Sequence, residues 1–255
     1  MPDRRRLWPE RYCLHIVPLW LEPPERREAL CRAFEQEVYR TCFDNPDQME
    51  DTATWLPLMQ ENLPTEKPRV FIIAACLSQT ASGGRIIGGV VFEHYSCGDW
   101  LATYLAIRPE HRRSGLGRML FDSMLRTIEA HAGQTSWDLY AEAERPDCVT
   151  PERLAEANAR LQALAALGFR RVPIAYVQPK LAPDKESASD LMLLWYAGRS
   201  EDEAPGPERT RLAAFLQCFY AALDQPAASS LRLMLNESSA NTPKIATEPL
   251  GAAHT

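Results

Sequence analysis

The sequence has no uninterrupted apolar run near the eighteen or so residues a membrane-spanning helix needs, so no helical span is expected. It has no basic excess either. A formal charge of −6 and a pI of about 5.5 argue against binding to nucleic acid or to an anionic membrane surface. Paired cysteines are absent: the seven at positions 13, 31, 42, 76, 97, 148 and 218 are odd in number, scattered and without a C-x-x-C. Neither a disulfide framework nor a zinc site is expected, and reduced thiols acting as small hydrophobes are. The basic residues Arg4, Arg5 and Arg6 are not followed by an apolar segment, because Trp8, Pro9, Glu10 and Arg11 stand where a signal peptide needs one. A cytoplasmic location is the resulting expectation. Internal repeats, heptads and long low-complexity segments are also missing.

What is there suffices for a sizeable core: 255 residues, 45% of them hydrophobic. Strands are expected over 12–19, 69–77, 86–95, 100–107, 136–143, 169–178 and 191–196, where β-branched and aromatic residues cluster. Helices are expected over 25–43, 54–63, 115–130, 150–167 and 210–223. Pro23-Pro24 and Thr150-Pro151 supply helix starts, while Gly133 and Gly168 supply stops. The fold class is a mixed α+β domain with helices flanking a central sheet. Residues 1–198 form the expected catalytic domain, 199–209 an acidic linker, 210–235 a helical extension and 236–255 a disordered tail.

The informative stretch runs from Leu101 to Phe121: a strand, a short polar loop with Gly115 and Gly117, then an amphipathic helix. First-turn N–H groups of a helix lack intrahelical partners, and the helix dipole places positive potential there. Glycines allow phosphates close to the backbone, and Arg112, Arg113 and Arg118 add charge at the same point. Together they describe a diphosphate cradle. A P-loop would need G-x-x-x-x-G-K-[ST], which is absent, and the dinucleotide fingerprint would need a third small residue where Leu120 stands.

The run Arg112-Arg113-Ser114-Gly115-Leu116-Gly117, preceded by Ile107-Arg108-Pro109, resembles the acetyl-CoA motif of the GNAT (general control-related N-acetyltransferase) superfamily. Leu167-Gly168-Phe169 resembles that superfamily's second landmark, a helix ending in Leu-Gly-Phe before a strand. The resemblance spans roughly residues 12–196. It implies acetyl-CoA as co-substrate, with Leu105, Ala106 and Ile107 as main-chain contacts of the pantetheine arm. Arg112, Arg113, Ser114, Gly115, Leu116, Gly117 and Arg118 would hold the pyrophosphate. Asn158 would match, one residue out of register, a cofactor-side asparagine of the family; a solvated helix residue is the competing reading.

Acyl transfer to an amine needs a group to take the ammonium proton, a donor for the carbonyl oxygen and an acid for the departing sulfur. The superfamily's usual acid is a tyrosine, and Leu164 occupies that position. Tyr176 is the substitute candidate, against a reading as a core tyrosine. Glu93 and Glu142, both in apolar strand contexts, are the candidate bases, against solvent-facing strand residues. Glu144 and Asp99 rank below them; His94 and His111 are weaker. The function implied is acetyl transfer from acetyl-CoA to a primary amine by direct attack, with no metal. The alternative is an acyl-CoA-binding regulatory module with degenerate catalysis, and a partner-binding protein using the 210–223 helix ranks third. The expected acceptor is a small-molecule or peptide amine, and a homodimer is compatible with the sequence.

Overall fold

The computed structural model describes residues 12–80, 83–198, 206–225 and 244–250. Seven strands form one sheet in the order β1-β2-β3-β4-β5-β7-β6. The strands are β1 (Cys13–Pro18), β2 (Arg69–Thr80), β3 (Gly83–His94), β4 (Trp100–Ile107), β5 (Leu139–Glu144), β6 (Phe169–Arg171) and β7 (Leu191–Tyr196). All neighbours pair antiparallel except β4 and β5, which run parallel.

Strand alternation sorts side chains onto two faces. On one face Phe71, Phe92, Trp100, Ala141 and Leu194 meet the apolar stripe of α4 (Leu116–Ala132) and α5 (Pro151–Leu167). The opposite face carries two separate clusters. In one, Phe34 of α1 (Pro24–Phe34), Val38, and Trp55 of α3 (Trp55–Leu58) cover Ile72, Val91 and Tyr104. In the other, Leu212, Phe215, Leu216 and Phe219 of α6 (Arg209–Ala222) cover Tyr95, Leu101, Tyr140 and Leu193. The seam between these two clusters is where a cavity opens. After α1 the helix continues through a π-helical turn, Glu35–Tyr39, into α2 (Arg40–Cys42).

Three expectations need correction. The strand expected over 169–178 ends at Arg171, because Pro173 has no N–H for the ladder and the chain folds into tight turns, Ile174 N–H to Val172 and Tyr176 N–H to Ile174. The helix expected over 54–63 is reduced to Trp55–Leu58, preceded by a short 3-10 turn at Thr52–Thr54. Within the expected disordered tail, residues 244–250 are described and packed: Ile245 is 2% exposed and Glu248 pairs with Arg171. The rest of that tail, and the 226–235 part of the expected extension, lie outside the described residues.

Candidate active site

β4 and β5 pair only over Trp100–Ala102 and Leu139–Ala141, although β4 continues to Ile107 and β5 to Glu144. The strands therefore part. Thr103 is an extra residue where the β3–β4 register jumps from Tyr104 opposite Val91 to Ala102 opposite Phe92. Such a bulge bends and twists its strand, which helps to open the gap. Arg108 N–H donates to Ile87 of β3 at 3.0 Å. Antiparallel alternation then turns the main-chain groups of Ile107 and Leu105 away from β3, toward the side β5 has left. Their side chains pack against the α4 face, and Ala106 is buried on the other.

Beyond Ile107 the loop reaches the N-terminus of α4 with two left-handed residues, Arg113 (φ 61°) and Gly115 (φ 82°). A left-handed arginine is uncommon and costs free energy, whereas glycine takes that conformation freely. Ser114 Oγ donates to the His111 carbonyl at 2.7 Å and closes the loop. Arg112 turns back to the Ile107 carbonyl at 3.2 Å and pairs with Glu156 at 3.7 Å. Arg118 donates through Nη2 to the Ala166 carbonyl at 3.3 Å, while its Nη1 is buried without a partner.

On the seam side of the gap the cavity is lined by Leu101, Thr103 and Tyr104 of β4, Glu142 and Glu144 of β5, and Glu93 of β3. Gln178 and, from α6, Phe219 also line it. Glu93 is 4% exposed and accepts from the Tyr95 hydroxyl at 2.5 Å. Glu142, half-buried, accepts from the Tyr176 hydroxyl and from Gln178 Nε2, the latter at 2.8 Å. Burial pushes the Glu142 carboxyl up to about 7, and these two donors only partly offset it. Burial also raises Glu93 well above the ordinary carboxylate range, helped by the charges of Glu50 and Glu142. Two carboxylates picked out by strand context thus meet in one cavity.

A third carboxylate went unrecognised in the sequence. Glu50, in the 45–63 segment, lines the same cavity and accepts from Trp55 Nε1 at 2.6 Å, and burial raises its carboxyl. Its main-chain N–H donates to the hydroxyls of Tyr39 and Tyr104 at 2.9 and 3.1 Å. Its sequence neighbours, Asp47, Gln48, Asp51 and Thr52, are mostly polar, so no local pattern marks it.

Other candidates are placed elsewhere. Tyr176 lies behind Glu142 and outside the cavity wall, its hydroxyl engaged by that carboxylate. Leu164 packs against the apolar cluster of the α4–α5 face. Asn158 is exposed on α5, away from the cavity wall. Glu144 is held by Arg153 and Arg160. Asp99 is fully buried and paired with Arg211 of α6 at 2.6 Å. His94 packs on Trp100 at 4.3 Å on the opposite face from Glu93, and burial lowers it to about 4. His111 sits in the cradle loop.

Among known proteins, the chain is 33% identical over 94 residues to a mycothiol acetyltransferase of Thermobifida fusca (strain YX). That match covers 37% of this chain and 27% of the relative, so the chain spans about a quarter of the relative's length. Its fold is similar to that of a GNAT-family protein from Bacteroides thetaiotaomicron, at 14% identity and TM-score 0.48, over 83% of this chain and 99% of that one. It is also similar to the ribosomal-protein-S18-alanine N-acetyltransferase of Escherichia coli, at 16% identity and TM-score 0.42, over 74% and 98% of the two chains. Residues 34–146, which run from the end of α1 through the parted strands and the cradle loop to β5, match the model of the Acetyltransferase (GNAT) family.

Proposed function

We propose that this chain transfers the acetyl group of acetyl-CoA to a primary amine by direct attack, with Glu142 as the base. One observation carries the proposal: a carboxyl poised near neutral pH lines the cavity at the gap between β4 and β5, beside a strand edge that has no partner strand beyond Ala102.

The residues of the gap and cradle fit the co-substrate. The β4 edge from Thr103 to Ile107 offers hydrogen bonds to an extended amide-bearing arm. A Cβ on Gly117 would press to 3.2 Å on Ile107 Cδ1, so glycine keeps the helix start close to the strand end. The first turn of α4, which opens directly after the left-handed Gly115, presents main-chain amides and a positive helix end suited to an anion. When bound, acetyl-CoA supplies a thioester carbonyl activated toward nucleophiles.

The protein's own groups then do the rest. Glu142 takes one proton from the incoming ammonium, which frees the lone pair. The C–N bond forms as the C–S bond breaks, and the nitrogen's second proton ends on sulfur, which leaves as a thiol. The Ile107 N–H is the donor for the carbonyl oxygen. Tyr176 and Gln178 orient Glu142, and Tyr176 is a positioning residue in this scheme. Water at the mouth returns the proton to sulfur, since Leu164 supplies no acid.

A panel of primary amines with acetyl-CoA, followed by release of free thiol, tests the proposal. Turnover on at least one amine, with a rate that rises as pH passes about 7, is expected. Binding of acetyl-CoA with no turnover on any amine would instead favour the acyl-CoA-binding module.

A further inference from the structure

An amine acceptor can carry one positive charge or several, and the cavity wall distinguishes between them. Glu50, Glu93 and Glu142 all line it, and the side-chain hydrogen bonds they accept come from neutral donors: Trp55 Nε1, the Tyr95 and Tyr176 hydroxyls and Gln178 Nε2. The nearby cations have other partners. Arg153 and Arg160 are bound to Glu144, with Asp44 at 3.8 Å from Arg153 and Glu156 at 3.7 Å from Arg160. Lys185 donates to the Met49 carbonyl and offsets part of the charge of Glu50 alone. Two carboxylates thus remain without a cation.

An independent observation points the same way. Gln178 is 5% exposed and lines the cavity, yet its Oε1 is buried without a hydrogen-bond partner. Its orientation is fixed, because the opposite flip would set Oε1 against the Glu142 carboxylate that Nε2 now contacts at 2.8 Å. Buried acceptors are normally satisfied, so this one calls for a donor from outside the chain. Every unsatisfied group named here is an acceptor, whereas ammonium groups are pure donors. Between the polar groups the wall is apolar, with Leu101 and Phe219. Phe43 and Tyr104, packed edge to face with centroids 5.1 Å apart, extend that apolar wall.

We infer that the acceptor is an aliphatic polyamine, with one nitrogen reacting at Glu142 and a second, unreacted ammonium held by Glu50, Glu93 and Gln178 Oε1. The methylene spacer lies along Leu101 and Phe219. Acetylation removes one positive charge, so the product binds more weakly than the substrate and leaves. The inference rests on the acyl-transfer reading for the identity of the reacting nitrogen, but not for the binding selectivity.

The test uses the full chain and α,ω-diamines of three to six carbons, each beside the monoamine and the ω-amino acid of equal length. Affinity is measured by calorimetry in the presence of coenzyme A, and initial rate by thiol release from acetyl-CoA. At least one diamine should exceed its monoamine by about 10²-fold in affinity and in kcat/KM, as charged hydrogen bonds of ordinary strength provide. Its advantage should shrink with salt. In Glu50→Gln, which keeps the acceptor for Trp55, the ratio should fall to within about threefold. Monoamines or amino acids that bind and react as well as every diamine would overturn the inference and leave acyl transfer standing. Diamine-selective binding without thiol release would do the reverse, and failure of all the diamines to bind would also overturn the inference.

Discussion

Glu142 and Glu93 are held in the folded chain with raised proton affinity, which has opposite consequences for stability and for rate. Because the folded form binds these protons more tightly than the unfolded form, their contribution to stability is present at acid pH. It is lost as pH rises from the ordinary carboxylate range, for Glu142 through about 7. The melting temperature should therefore fall between pH 5 and pH 8, and Glu142→Gln should flatten part of that fall, by a few degrees. The rate moves the other way. Glu142→Gln should lower turnover about 10²–10⁴-fold with little change in acetyl-CoA affinity, and recover partly at high pH where free amine needs no base. Tyr176→Phe should give a smaller loss and shift the pH limb, because it removes a donor that stabilises the Glu142 carboxylate. An unchanged pH profile in both variants would remove Glu142 from the role of base. Glu93 and Glu142 were legible from apolar strand contexts. Glu50 was not, since a loop residue reaches the cavity only when Tyr39, Trp55 and Tyr104 have packed around its backbone.

The unit from β4 to α4, on which the proposed co-substrate site rests, was also the most legible. Trp100–Ile107 ends where proline stops it, and Leu116–Ala132 begins at a left-handed glycine and ends at another. Local sequence determines these features, so they can be read without tertiary knowledge. The parting of β4 from β5 is different, because it depends on which strand becomes the neighbour and on the extra residue at Thr103. β6 was over-read for the same reason: an apolar run near Pro173 says nothing about whether a partner strand is available. At this scale Gly117→Glu is the discriminating change. A Cβ there already crowds Ile107, and a carboxylate would stand where the pyrophosphate is proposed to lie. Acetyl-CoA should raise the melting temperature of the parent chain by mass action and fail to raise that of the variant. An equal ligand-induced shift in both would exclude the cradle as the binding site.

At the scale of the whole molecule, the sheet face bearing the cavity is completed by parts that lie late in the sequence. α6 is tied down by Arg211, which bonds Asp99, Asp138 and the Ser136 carbonyl, and Phe219 of the same helix lines the cavity. The 244–250 segment then closes the far edge. Ile245 is buried in the α6 cluster with its N–H on the Pro207 carbonyl at 3.1 Å. Glu248 exchanges both main-chain bonds with Arg171 of β6 at 2.9 Å, and Arg170 Nε reaches Thr247 Oγ1 at 2.8 Å. A short apolar signal within a polar tail gave no warning of this, because one isoleucine becomes core only where α6 and β6 leave a slot for it. Removing residues 236–255 should therefore destabilise the fold, contrary to the expectation that this stretch is dispensable. Ile245→Ala isolates the effect: losing a fully buried isoleucine costs about 2–5 kcal/mol, or roughly 5–15 °C in melting temperature for a chain of this size. The polar contacts of Thr247 and Glu248 alone would give far less, so thermal melts of the truncated chain and of Ile245→Ala that both match the parent would mean that the segment does not dock. If the segment docks as described, truncation should also weaken diamine binding, because α6 would lose its support beneath Phe219.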